Sequence, residues 1–306
     1  MHDVMIIGGG PAGLQAALAL GRLHRSCLVL DSGSYRNAAA THMHNFLTHD
    51  HRVPAEFRGA ARQDLSRYAT VELLEEAAEE LIPSDSGFAV TTSSGSRVEA
   101  RRVILATGVR DLLPAVPGMA ELWGTVVAHC PFCHGHEFSD GTVAIQGGPH
   151  APRLAAMLAP IAGQLMVLAN GYELSGSELE QLARIGAEVR DGELVAMHRD
   201  GGGAKAELDD GTSVFVDGFF VAGTLEQSAP FAETLGLNML PSGCIEVDGF
   251  GRTSMPGVFA AGDLAHQAAY PMPLASVLNA AAAGGLAAVA VLQELVAEDF
   301  DLPPMG

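Results

Sequence analysis

The chain has 306 residues, 48% of them hydrophobic and 17% charged, which is enough to bury one large core or two medium ones and too apolar for a chain disordered by default. Seventeen Lys and Arg stand against 36 Asp and Glu, and the formal charge of −19 repels phosphate backbones and anionic membrane surfaces, so neither nucleic acid nor a membrane is an expected partner. The opening MHDVMIIGGGPAG lacks the basic segment, apolar stretch and cleavage site of an export signal, so a cytoplasmic location is expected. In a reducing compartment, a small set of cysteines (Cys27, Cys130, Cys133, Cys244) is more often catalytic than structural.

In chain order, residues 4–7 form an apolar strand run and residues 8–13 are glycine-rich. Residues 14–23 place apolar side chains at helical spacing before a second apolar run at 27–30, which together make a βαβ unit. Residues 88–92 and 97–100 read as a hairpin around Ser94-Gly95, leading into the apolar run 103–106, which closes at Thr107-Gly108. The same grammar recurs at 143–145, followed by a glycine turn at Gly147-Gly148-Pro149, a helix through Met157 and a strand at 165–168. Residues 194–198, 204–208 and 215–216 read as meander strands, and 219–222 ends in Gly223 much as 103–106 ends in Thr107-Gly108. This weak repeat implies two related nucleotide-type domains. A third piece, residues 251–288, has its own glycine turn and a long Ala-rich helix, read as a packed helix too short to span a membrane. The expected fold class is α/β, with two Rossmann-like, three-layer (ββα) nucleotide-binding domains, the second (114–240) inserted into the first (1–113 and 241–306).

Gly8, Gly10 and Gly13 supply G-x-G-x-x-G between a strand and a helix, where glycines permit a tight turn and close approach of a pyrophosphate seated on the helix N-terminus. Asp31 ends the second strand about 20 residues after Gly10, where a carboxylate holds the ribose hydroxyls of an adenosine. Strand, helix and acid in this order point to dinucleotide binding.

Downstream, Ile104-Leu105-Ala106-Thr107-Gly108 and Gly257-Val258-Phe259-Ala260-Ala261-Gly262-Asp263 resemble the two further FAD signatures of the pyridine nucleotide-disulfide reductases, of the small thioredoxin reductase type. The resemblance covers essentially the whole chain. It implies FAD as cofactor, Gly262 and Asp263 at its ribityl or phosphate region, Thr107 and Gly108 against it, and a helix from about Val277 whose N-terminus is directed at the isoalloxazine. Pro11, Ala12, Ser32, Arg36, Asn37, Asn45 and Ser276 belong to the same implied set, and a homodimer is implied as well.

Cys130-Pro131-Phe132-Cys133 is a C-x-x-C, which closes a small disulfide, while local positive potential lowers the first thiol's pKa from about 8.5. Three readings compete with a redox pair. A c-type haem attachment requires export; zinc held by His129, Cys130, Cys133, His134 and His136 is poorly spaced for a tetrahedron; the third is a purely structural pair. No metal is expected.

In thioredoxin reductases an acidic residue follows the second cysteine, whereas here it is His134. Cys-Pro-Phe-Cys-His-Gly-His-Glu, with Arg36-Asn37 through His42-Met43-His44 to Phe46-Leu47, is similar to the dithiol oxidases that form the disulfides of gliotoxin and holomycin. That resemblance implies that Cys133 faces the flavin, that Cys130 exchanges with the substrate sulfur and that oxygen receives the electrons. His134 or His129 is the candidate base, since an unperturbed imidazole titrates near neutral pH. His42, His44, His49 and His51 are read as a polar loop beside the cofactor rather than a metal site, and Cys27 and Cys244 as bystanders.

A reductase needs a nicotinamide site, and the second glycine turn serves one poorly. Gln146 stands where the first glycine belongs and crowds a pyrophosphate, and Ala169-Asn170-Gly171-Tyr172 offers neither the acid that selects NAD nor the paired arginines that bind NADPH. Arg153 is the sole cation nearby and sits on the helix. FAD is thus the expected cofactor and NAD(P)H the weaker expectation. The first reading is oxidation of a small-molecule dithiol by oxygen. The second is an NAD(P)H- or ferredoxin-dependent reductase of a thioredoxin-like protein, and the third, from another class, is a flavin-binding thiol redox sensor.

Overall fold

The computed structural model describes residues 1–303, whose contacts divide into two compact units: residues 1–36, 55–110 and 225–303, and residues 37–54 and 111–224.

The first unit opens with β1 (His2–Ile7), α1 (Pro11–Arg22) and β2 (Cys27–Leu30), a βαβ crossover in which β1 and β2 run parallel with Ile7 beside Leu30. Proline at the first helical position lacks an N–H that would have no intrahelical acceptor there, so it starts α1 without cost. Both faces of the two strands are covered, so their inner positions read as unbroken apolar runs. Next come α2 (Pro54–Leu65), β3 (Val71–Leu74), β4 (Ala78–Ser84), β5 (Gly87–Thr92) and β6 (Arg97–Leu105). The sheet order is β3-β2-β1-β6-β5-β4, with Val258–Ala260 added in parallel beside β6.

The expected hairpin is present, Val90 facing Val98 across a turn through Gly95. Its second strand differs from expectation, because it runs without interruption through Arg101-Arg102. Those arginines broke the apolar pattern, and the C-terminal helix Val277–Asp299 supplies their counter-charges: Arg101 Nη2 lies 2.7 Å from Asp299 Oδ1, and Arg102 Nε lies 3.1 Å from Glu294 Oε2.

That helix is also longer than its Ala-rich stretch. At 23 residues it is long and apolar enough to cross a membrane by length and composition alone, which corrects the reading of it as too short. It does pack: Ala280, Gly284, Ala287, Ala288 and Val291 are buried, and a methyl group at Gly284 would stand 2.0 Å from the Ala12 carbonyl, so small residues let this helix and α1 approach closely. Its opposite side exposes Leu278, Leu286 and Val289.

The second unit holds a parallel sheet in the order Glu188–Arg190, Gln164–Leu168, Thr142–Gln146, Gly218–Phe220, Val127–Ala128, and an antiparallel meander of Leu194–Asp200, Gly203–Leu208 and Ser213–Val216. The helix Ala151–Leu158 and the strands Thr142–Gln146, Gln164–Leu168, Gly218–Phe220 and the three of the meander fall close to where the sequence places them, whereas Glu188–Arg190 and Val127–Ala128 were not anticipated. Among the helices that were not anticipated, the longest of this unit is Gly176–Ile185. Its signals were present: Ser175 and Glu178 form a capping box, and Gly186 ends the helix in a left-handed conformation.

Candidate active site

Three signature segments far apart in sequence converge because their strands are neighbours in one parallel sheet. Ile7 pairs with Leu105, and Leu105 with Ala260, so Gly8, Ala106 and Ala261 leave the same edge side by side. There the backbone ties the strands together: Ala106 N–H donates to the Ile7 carbonyl at 2.8 Å, and Ala261 N–H to the Leu105 carbonyl at 2.9 Å.

Gly8 has φ +121°, and a methyl group on it would lie 2.2 Å from the Ala106 carbonyl oxygen; one on Gly13 would lie 1.9 Å from the Gly8 oxygen. A side chain at Gly10, by contrast, would meet nothing within 4 Å. The turn is therefore closed toward the sheet and open at its tip, which fits the pyrophosphate of a dinucleotide such as FAD at the start of α1. Pro11 and Ala12 form the first turn of α1, and Gly262, with φ +95°, sits against Ala12. Arg36 Nη1 donates to Asp263 Oδ2 at 2.9 Å, joining two residues more than 200 positions apart. Thr107 and Gly108 continue directly from Ala106, and Ser276 caps the helix Val277–Asp299, its Oγ accepting from Asn279 N–H.

Asp31 is 2% exposed at the end of β2 and is surrounded by groups the sequence did not flag. Gly33 N–H donates to Oδ1 (3.0 Å); the Tyr35 hydroxyl (2.6 Å) and Arg62 Nη2 (2.5 Å) donate to Oδ2. Burial raises the carboxyl's proton affinity, but the Tyr35, Gly33 and Arg62 hydrogen bonds outweigh it, and the group sits below the usual carboxylate range. These bonds leave acceptor capacity on Oδ1, enough for one ribose hydroxyl. Arg58 stacks over the Tyr35 ring at 3.8 Å. Both arginines lie on α2, four positions apart on one face, a spacing visible in the sequence but with nothing there to connect it to Asp31. Ser32 follows Asp31 and is exposed.

The cysteine pair belongs to the second unit. After the strand Val127–Ala128, Cys130 caps the single-turn helix Pro131–His134, and the backbone N–H groups of Cys133 (3.1 Å) and His134 (3.2 Å) both donate to the Cys130 carbonyl. Both cysteines are half-buried, with Phe132 exposed between them. The His129 ring stacks on Trp123, centroids 5.6 Å apart. His134 is half-buried and makes a backbone hydrogen bond with Gly124, while its Nδ1 is buried with no hydrogen-bond partner. Burial dominates its titration: it holds the imidazole below its ordinary value of 6.5, against the opposing pull of the Gly124 bond and Glu137, with nearby His44 lowering it further. The ring is therefore neutral at neutral pH.

Asn37 and Asn45 lie in the segment 37–54, which groups with this second unit, whereas the other residues expected at the cofactor belong to the first. The segment carries the histidine cluster: His42 and His51 are stacked at 4.0 Å, and His44 lies 5.5 Å from His51. Among the described residues no group of three or more His, Cys, Asp or Glu is disposed to hold a metal ion. Cys27 is fully buried, its thiol pushed up to about 12 by burial and then by Asp3. Burial also pushes the Cys244 thiol up, so both are held as thiols.

The family model for pyridine nucleotide-disulphide oxidoreductases matches residues 2–285. The chain is 37% identical over 277 residues to the thioredoxin reductase tcpT of Claviceps purpurea, spanning 85% of this chain and 86% of the relative. It is 37% identical over 317 residues to the thioredoxin reductase aclD of Aspergillus oryzae, spanning 98% of each. Among solved structures, an oxidoreductase from Agrobacterium tumefaciens superposes with a TM-score of 0.89 at 34% identity, covering 96% of this chain and 98% of that one. The protein HlmI superposes with a TM-score of 0.87 at 33% identity, covering 98% and 94%. With the signature segments assembled at one sheet edge and the family match spanning nearly its full length, the chain belongs to the pyridine nucleotide-disulphide oxidoreductases, enzymes whose family cofactor is a flavin.

Proposed function

We propose that the protein oxidises a small-molecule dithiol to its disulfide through Cys130 and Cys133, with oxygen as the final electron acceptor. The observation that carries this reading is the altered glycine turn of the second unit. Gln146 ends the strand Thr142–Gln146 where a pyrophosphate needs a glycine, and its Oε1 is buried with no hydrogen-bond partner. Past the next strand, where an acid or arginine would select a nicotinamide nucleotide, Asn170 adopts a left-handed backbone and its Oδ1 accepts from Leu194 N–H at 2.8 Å. A crowded turn and a selecting position given over to structure weaken a nicotinamide site, so the electrons come from the dithiol.

In this reading residues 1–113 and 241–306 hold the flavin, and 114–240 carry the dithiol. A substrate thiolate attacks Cys130 Sγ, breaking the Cys130–Cys133 bond and leaving Cys133 as the thiolate. The second substrate sulfur then attacks the first, closing the substrate disulfide and freeing Cys130. His134 Nδ1 receives the thiol proton, its tautomer set by the Gly124 bond on the other ring nitrogen. The bound flavin supplies a two-electron acceptor for the reduced pair. The exposed Leu278, Leu286 and Val289 stripe fits a homodimer contact. The second reading, an NAD(P)H-dependent reductase of a thioredoxin-like protein, is favoured by the names the fungal relatives carry.

Anaerobic titration of the yellow holoprotein separates the two readings. Dithiothreitol is expected to bleach the flavin band, and air to restore it with release of peroxide, while NADPH and NADH leave it unchanged. Rapid bleaching by either nucleotide at micromolar concentration would overturn the oxidase reading. A pH dependence follows from the lowered His134 value. Because the base must be neutral, reduction by the dithiol, corrected for the donor's thiolate fraction, is expected to hold its rate below pH 6.5 before falling about tenfold per further unit. An acid limb centred above 6.5 in stopped-flow traces would exclude His134 as that base.

A further inference from the structure

The 37–54 segment is folded tightly against the turn that carries the cysteines. Gly124, whose backbone hydrogen-bonds His134, has no room for a side chain because the Ala39 carbonyl carbon would lie 2.6 Å from its Cβ. Met43 N–H donates to the Arg52 carbonyl at 2.8 Å, closing the loop, and Asn45, Thr48 and His51 all take left-handed backbone angles within it. These constraints place His44, whose side chain is only 11% exposed, with its Nε2 3.4 Å from Glu137 Oε1 and its Nδ1 3.7 Å from Asp50 Oδ1. Glu137 lies one turn beyond His134, and Asp50 is largely exposed. The charged and titratable groups facing His44 are thus Glu137 and His134 from the cysteine turn, and Asp50, His51 and His42 from its own loop.

We propose that His44 and Glu137 form a proton outlet for His134: a thiol proton taken up at His134 during exchange at Cys130–Cys133 passes to the His44–Glu137 pair and leaves to solvent at Asp50. The inference rests on the dithiol-exchange reading above. Its chemistry balances. A dithiol and the Cys130–Cys133 disulfide become the substrate disulfide, one Cys130 thiol, one Cys133 thiolate and one released proton; the substrate sulfurs are oxidised and the cysteine pair is reduced by the same two electrons. That proton must leave a base whose Nδ1 is buried with no hydrogen-bond partner, and His44, paired with Glu137 three residues along the same turn as His134, provides the route. His44 and Glu137 act through His134 and are positioning residues. Glu137 orients the His44 ring, as carboxylate partners of functional histidines do.

The test is anaerobic stopped-flow reduction of the holoprotein by dithiothreitol, with proton release followed by a pH indicator in weak buffer, for the wild type, His44→Gln, Glu137→Gln, Glu137→Asp and the double variant His44→Gln/Glu137→Gln. Each Gln variant is expected to slow the limiting rate of reduction and the proton release together by about 10–100-fold without changing the half-saturating dithiol concentration. Glu137→Asp should recover most of the rate, and the double variant should be no slower than the slower single one. Unchanged rates and pH profiles in both Gln variants overturn the outlet. So does a loss confined to half-saturation, or one that Glu137→Asp fails to recover and that comes with a lowered melting temperature. A wild type that dithiothreitol does not reduce at all sinks the exchange reading and the outlet together, whereas normal wild-type reduction with unaffected variants sinks the outlet alone.

Discussion

Replacing Cys133 with Ser is expected to leave a yellow, folded protein that has lost dithiol turnover by a factor on the order of 10³ or more, and Cys130→Ser is expected to do the same. The flavin residues and the cysteines are assembled separately. Gly8, Gly13, Asp31 and Asp263, the residues expected at the flavin, belong to the first unit, while Cys130 and Cys133 cap and close one turn of helix on the second, so oxygen in place of sulfur is expected to remove the proposed exchange chemistry and leave the first unit's residues unchanged. Both side chains are only half-buried in a turn held by backbone bonds to the Cys130 carbonyl, and Ser is nearly isosteric, so little stability is lost. Steady-state oxygen uptake with dithiothreitol, alongside the visible spectrum and flavin stoichiometry of each variant, checks this. Full turnover in either variant would falsify the assignment of the redox pair, and loss of flavin would show that the cysteine turn also supports the cofactor.

Gly8→Ala is expected to have the largest effect on the cofactor. The substituted residue must hold φ +121°, which costs an L-residue roughly 1–2 kcal/mol, and its methyl group would fall 2.2 Å from the Ala106 carbonyl, an overlap relieved only by separating β1 from β6 at a cost of about 1–3 kcal/mol more. Moving β1 shifts the start of α1 and the turn that receives the pyrophosphate. The expected product is largely colourless protein melting roughly 5–15 °C lower. Gly10→Ala is the informative contrast, because its methyl group would meet no protein atom within 4 Å. The apoprotein should melt as the wild type does, with any loss appearing as weakened flavin binding. Flavin-to-protein ratio and thermal unfolding of the two variants decide the matter, and a Gly8→Ala protein that stays yellow with an unchanged melting temperature would contradict the geometry.

Much of the fold was legible because it is written locally. The strand at 27–30 coincides with Cys27–Leu30, and those at 143–145 and 165–168 with Thr142–Gln146 and Gln164–Leu168, since strands covered on both faces leave continuous apolar runs that a short window detects. One error came where a distant partner overrode the local pattern. Arg101 and Arg102 look like a strand terminus, yet they lie inside β6 because Glu294, Glu298 and Asp299 of the C-terminal helix take up their charge. The helix Gly176–Ile185 went unread although its capping box and terminal glycine were plain, its apolar face being interrupted by a dense run of polar side chains.

The candidate site divides in the same way. Glycine spacing, the C-x-x-C and the replacement of a glycine by Gln146 are statements about which side chains a backbone position tolerates, and such demands are local, so the sequence by itself determined the first glycine turn, the close spacing of Cys130 and Cys133 and the alteration of the second turn. Tertiary structure alone decided that Tyr35 and Arg62 occupy Asp31 Oδ2, that Arg36 reaches Asp263, and that the 37–54 segment lies on the cysteine turn with His44 beside Glu137. Each of these joins residues brought together by chain crossings or loop packing, and the free energy that selects them comes from burying charge beside its partner in a particular three-dimensional arrangement, which no periodicity or spacing along the chain records.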